Sequence, residues 1–209
     1  MALIKKTIFL LLLLFCFMIT LPINKIYAVE KVDWNRLKED SLQLVEKEPD
    51  NIMAKFRYSI ALANLGMIEE ALDTFEEIED TVSIDEFNQV VSPYLEGITL
   101  QSEDILSLNY AAFGASINKE YTISIDYFKR IIELEPDNIW IRNYLALVYK
   151  EIDNNELAIE TCEKALEVKE NEHSRLILAV IYYDTGHYIK AFFQANRAGS
   201  LVKKLLRDD

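Results

Sequence analysis

The chain has 209 residues, of which 51% are hydrophobic and 27% charged, with a formal charge of −13. Such apolar content belongs to a folded chain and excludes a disordered one, while 5 glycines and 4 prolines leave too few turn residues for an all-β domain. The acidic surplus argues against a duplex nucleic-acid binder and against adhesion to anionic lipid, since both need an excess of Lys and Arg.

The first thirty residues, "MALIKKTIFLLLLLFCFMITLPINKIYAVE", stand apart. Lys5 and Lys6 form a basic head, residues 7–21 carry no charge, and Ile26-Tyr27-Ala28 ends on a small residue. This is the layout of a secretory signal cleaved after Ala28. The alternative is an uncleaved membrane anchor through residues 7–21, near the short limit of the roughly 17–25 residues that span a bilayer. Either reading places the protein outside the cytoplasm: secreted, periplasmic, or attached to the cell envelope. Lipidation at Cys16 is disfavoured by the bulky Phe15 before it. Cleavage removes three lysines and no acid, so the charge falls from −13 to −16. Cys162 is then the sole cysteine and no internal disulfide is possible; a small buried apolar side chain is the preferred reading over pairing between chains.

Residues 32–47, "VDWNRLKEDSLQLVEK", form an amphipathic helix with Trp34, Leu37, Leu44 and Val45 on its apolar side. The string E-P-D-N-I follows at 48–52 and returns at 135–139. Proline cannot continue a helix interior and turns its predecessor away from helical angles. Asp50 or Asn51, and Asp137 or Asn138, can then cap the next helix. The pentapeptide therefore marks the corner between one helical hairpin and the next.

Residues 52–80 form the first such hairpin, broken at Leu65-Gly66. Residues 81–101 are an insert, where Ile84, Phe87, Val91, Tyr94, Leu95 and Ile98 recur at helical spacing. Ser92-Pro93 predicts an N-cap and first-turn proline, dividing the insert into two short helices, and Ser102-Glu103-Asp104 caps the helix after it. Three more hairpins follow at 105–138, 139–171 and 172–204. Ala112 to Ala146, Phe128 to Cys162 and Ile131 to Ala165 are each 34 residues apart, and Ala146 to Ala179 is 33. At the C-terminus, Lys203, Lys204 and Arg207 suit the negative end of a helix dipole.

Paired helices at a period of 34 resemble the tetratricopeptide family. Small residues stand where two helices would cross closely (Ser59 and Ala71; Ala112 and Ser124; Ala146 and Ala158; Ala179 and Ala191), with Gly66 and Gly186 at hairpin turns and Phe75 and Phe128 as large fillers. The resemblance covers most of the chain after residue 28. It implies an all-α fold, a right-handed superhelical stack of antiparallel helix pairs following the signal or anchor segment, opened by the half repeat at 32–48.

The resemblance also implies a concave groove, lined by the first helix of each pair, that holds a partner protein or peptide. Phe56, Asn64, Asn109, Phe113, Trp140, Asn143 and His173 fall on groove positions. Asn109 and Asn143 are 34 apart, and their amides could bond a ligand's main chain; Phe56, Phe113 and Trp140 could supply apolar pockets. Ile60, Leu147 and Val180 read as core. Nothing points to catalysis or a cofactor. His173 and His187 lie 14 apart in different helices, no His/Cys cluster has metal spacing, and no glycine loop could cradle a phosphate. The expected function is a non-catalytic protein-interaction scaffold. The alternative is a carrier holding a lipid or small apolar ligand in an enclosed groove.

Overall fold

The computed structural model describes residues 31–199 and 201–202. The signal or anchor segment and the basic residues 203, 204 and 207 lie outside them. The described residues form ten α-helices and no strand: α1 (Trp34–Lys47), α2 (Ile52–Leu65), α3 (Ile68–Thr81), α4 (Ile84–Val91), α5 (Ile105–Ile117), α6 (Tyr121–Leu134), α7 (Ile139–Glu151), α8 (Asn155–Val168), α9 (Glu172–Asp184) and α10 (Tyr188–Arg197). The architecture is an all-α stack of helical hairpins, α2/α3, α5/α6, α7/α8 and α9/α10, with α1 laid on α2. No helix among the described residues is long and apolar enough to cross a membrane.

Two kinds of corner, each repeated, fold the chain. Between hairpins, the two E-P-D-N strings make the same bonds. The Asn51 N–H donates to the Glu48 carbonyl and its Nδ2 to the Glu48 carboxylate, while its Oδ1 caps the Ala54 N–H. Asn138 does the same with Glu135 and Ile141. Of the two capping candidates at each corner it is the asparagine that caps, the side chain satisfying an N–H that the first turn leaves unpaired. Asp104, Asn154 and Asn171 cap α5, α8 and α9 likewise.

Within hairpins, each turn passes through one residue at positive φ: Gly66 (79°), Lys119 (60°), Asp153 (58°) and Gly186 (76°). At each, the following N–H reaches five residues back, from Met67 to Leu62, Glu120 to Ala115, Asn154 to Tyr149 and His187 to Tyr182, at 2.7–3.0 Å. This left-handed cap reverses the chain and satisfies carbonyls at the helix end. The small residues Ser59, Ala71, Ala112, Ser124, Ala146 and Ala158 are fully buried, as close helix crossing requires.

The insert differs from its expected form. It contains one α-helix, α4, and then a single 3-10 turn over Ser92–Tyr94. Ser92 ends α4, its N–H bonding the Asn88 carbonyl, and does not start a second helix. Beyond it, Gly97 at φ 75° takes the chain through further turns, so Ile98 is not helical. The insert is pinned at both ends: Asn118 Nδ2 donates to Asn88 Oδ1 at 2.8 Å, and Tyr127 and Arg130 of α6 donate to the carbonyls of Ile98 and Ser102. Phe87 of α4 is buried edge-on against Phe56 of α2, centroids 5.2 Å apart. A wedge thus sits between the first hairpin and the second.

Two substitutions separate backbone strain from contact. A side chain at φ > 0 costs about 1–2 kcal/mol where glycine costs nothing. Gly186→Ala, with nothing within 4 Å of the added carbon, should lose about that much stability by urea denaturation. Lys119→Gly should gain about 0.5–1 kcal/mol.

Candidate functional site

The first hairpin does not continue the line of the other three. Helices α5, α7 and α9 present the face that would line the groove, and α3 lies over it. Phe75 of α3 stacks on Phe113 of α5, centroids 5.0 Å apart and planes at 15°. Phe113 is in turn edge-on to Phe128 of α6 and Tyr144 of α7, each at 5.0 Å. Further along, Ile68, Glu69 and Leu72 of α3 face Leu147 and Lys150 of α7 and His173, Leu176 and Val180 of α9. What remains of the groove is two half-open clefts beside α3, of about 360 and 340 Å³.

This placement decides the expected site residues. Phe56 is fully buried, packed on Phe75, Phe87 and Tyr110. Phe113 is buried beneath Phe75. Asn64, Asn109 and Asn143 are buried and bonded to other helices, which corrects the expectation that their amides face a ligand. Asn64 Nδ2 donates to Asn109 Oδ1 at 2.8 Å and to the Ile60 carbonyl, and its Oδ1 accepts from Asn138 Nδ2. Asn109 Nδ2 donates to the Ile105 carbonyl. Asn143 Oδ1 accepts from the Ser174 hydroxyl at 2.5 Å. A buried amide must find partners, and here neighbouring helices supply them.

Trp140 and His173 do come together. Their rings meet edge-to-face at 5.7 Å, and the Trp140 indole lies over Gly66 so closely that a methyl group there would approach it to 2.5 Å. Burial holds the His173 imidazole below its ordinary pKa, against the pull of Glu69 and Glu172. The pair serves as a seat for the α2–α3 turn. Ile60 is core and Leu147 partly buried, but Val180 is 42% exposed, against its reading as core, because α3 does not reach across the last hairpin.

Two features escaped the sequence reading. The larger cleft has carboxylates at its rim, Glu79 from α3 and Glu151 from α7, with Tyr121 beside them and Tyr144 in its wall. Partial burial raises the Glu79 pKa; Lys119 lowers it, and Asp80, Glu76 and Glu151 raise it again. Burial likewise raises Tyr144, whose hydroxyl has no hydrogen-bond partner among the described residues.

The second feature is the end of the stack. Tyr183, Tyr188, Ile189, Phe192 and Phe193 are 66, 64, 76, 70 and 61% exposed. Tyr183, Tyr188 and Phe192 line an apolar groove of about 460 Å³ between α9 and α10, with Leu176, Val180 and Ala195. The signal was present in "YIKAFFQANR": large apolar residues at 188, 189, 192 and 193 mark one helical face, opposite Ala191 and Ala198 that bury.

The fold defines a helical-repeat protein whose described surfaces are clefts and an apolar end. The tetratricopeptide repeat model matches residues 143–172, from the middle of α7 to the start of α9. No curated protein matches. Among solved structures, the chain resembles a crystal structure of MamA, at 16% identity over 84% of this chain and 92% of that one, TM-score 0.46. It also resembles TTC0263, a thermophilic TPR protein of Thermus thermophilus, at 15% identity over 83% and 86%, TM-score 0.44.

Three variants test these assignments. Asn109→Leu leaves the Asn64 amide short of a partner and should cost about 1–3 kcal/mol. Gly66→Ala adds a collision with Trp140 to backbone strain, so its loss should exceed that of Gly186→Ala, and Trp140→Ala in the same chain should recover the difference. Cys162 is fully buried and its thiol is pushed up to about 12. It should resist iodoacetamide at pH 8 in the native protein and react on unfolding, as mass spectrometry would record.

Proposed function

We propose that the chain is a non-catalytic protein-interaction scaffold, held outside the cytoplasm or at the membrane by its first residues, and that it docks a partner through the aromatic groove of α9 and α10. The observation that carries this reading is the exposure of five large apolar side chains on one hairpin. Contiguous apolar surface of this kind marks interaction sites, and exposed Tyr and Phe provide much contact area with few rotamers to freeze. A trough between two helices suits the apolar ridge of a partner's amphipathic helix.

The concave face is the weaker candidate for a partner, since α3 lies over its α5 and α7 portions. Leu176 and Val180, at the groove positions of the last hairpin, stay accessible and line the end groove. Docking there keeps the concave side in use, shifted to the end of the stack.

Phe192→Glu and Tyr188→Ser lie on the surface and should change stability by no more than about 0.5 kcal/mol. Either should weaken binding to the cross-linked partner, once identified by mass spectrometry, by at least about tenfold. Equal affinity of wild type and both variants would refute the docking face. For the location, N-terminal sequencing of the exported protein should begin at Val29; a membrane-bound chain that begins at Met1 or Ala2 would identify the anchor form.

A further inference from the structure

The cleft between α3 and the α5–α6–α7 layer combines features that point to a ligand. Its walls are apolar and aromatic, with Phe75, Phe113 and Leu147 among them, and Glu79 and Glu151 stand at its rim from separate helices. Neither carboxylate makes an ion pair or hydrogen bond with the described residues. The charged groups acting on Glu79 are Glu76, Asp80 and Glu151 on one side and Lys119 on the other, which leaves the rim negative. In the wall, Tyr144 is 5% exposed and its hydroxyl is buried without a partner, an unmet demand for a polar group inside an otherwise apolar cavity.

We propose that this cleft binds a small organic amine, with its ammonium between Glu79 and Glu151 and its apolar or aromatic body between Phe75, Phe113 and Leu147. A hard metal ion is disfavoured, because it wants six or more oxygen ligands and no group of three His, Cys, Asp or Glu among the described residues could hold one. An extended peptide has no continuous path, because α3 lies along the face such a chain would follow. A compact amine needs only the side opening. Carboxylates attract its charge, ring faces favour a cation nearby, and a hydroxyl on its body would answer Tyr144. The proposal rests on the seat of α3 and is independent of docking at α9 and α10.

Tyramine is the probe, with tyrosol as its neutral counterpart and 4-hydroxyphenylpropionate as its anionic one. Calorimetry on the full chain should show saturable binding of tyramine, at least about tenfold tighter than either counterpart and weakened by added salt. Glu79→Gln and Glu151→Gln should each weaken tyramine about threefold, and the double variant about tenfold, at unchanged melting temperature; rim carboxylates are partly screened, so single losses are modest. Leu72 is 42% exposed and borders the cleft, so Leu72→Trp should block binding without touching a carboxylate. Phe192→Glu should bind tyramine as wild type does. No saturable binding, equal binding of tyrosol, or a double Gln variant that binds tyramine normally would overturn the proposal.

Discussion

The stack of Phe75 on Phe113 decides what kind of surface this protein has. Three hairpins in register would leave α5, α7 and α9 lining an open trough. With Phe75 laid flat on Phe113, and Phe113 held edge-on by Phe128 and Tyr144, the trough receives a helix of its own chain. Each such aromatic contact adds about 0.5–1.5 kcal/mol beyond the area it buries, and this run continues through Phe56 to Phe87 in the insert. A peptide competing for the same face would have to displace a covalently attached helix, present at high effective concentration. Partner binding on this face is therefore expected where α3 stops.

The insert makes that seat geometrically available. A regular repeat would bring α2 beside α5 along its length. Here α4 packs between them, with Phe87 against Phe56 and Asn88 bonded to Asn118. The end of α2 instead reaches α7: Asn64 accepts from Asn138, and Gly66 lies under Trp140. These two contacts explain why Gly66 must lack a side chain for two separate reasons, its backbone angle and its neighbour.

Helices and corners were legible because their causes are local. The repeated E-P-D-N string names its own caps, and the small residues at period 34 name the crossings. The hairpin turns were legible at Gly66 and Gly186, less so at Lys119 and Asp153, which adopt the same left-handed angle without the residue that favours it. The position of α3 was not legible. Periodicity tells which side of a helix is apolar, and Ile68, Ala71, Phe75 and Ile78 do bury, but it is silent on which distant surface receives that side. The asparagines failed for a related reason: an amide at a groove position reads identically whether it awaits a ligand or a neighbouring helix. The cleft rim could not be found either, since Glu79 and Glu151 are 72 residues apart in sequence and each looks like an ordinary solvated acid.

The two ends of the stack are finished differently, and the difference bears on function. A helical array needs a polar outer face on its terminal elements to stay soluble. At the start, α1 meets this need: Asn35, Arg36, Glu39, Asp40, Gln43 and Glu46 are exposed while Leu37 and Ser41 bury. At the other end, α10 buries only Ala191 within its span and turns Phe192, Phe193, Tyr188 and Ile189 outward. The contact that holds α10 in place is polar: Arg175 bonds Glu170 twice at 2.7 Å and reaches Gln194 at 2.8 Å, with Arg197 joining Glu170. A hairpin so fastened does not need its aromatic residues for its own attachment. They cost solubility and add nothing visible to the hairpin's packing, which is the physical reason to look for what covers them.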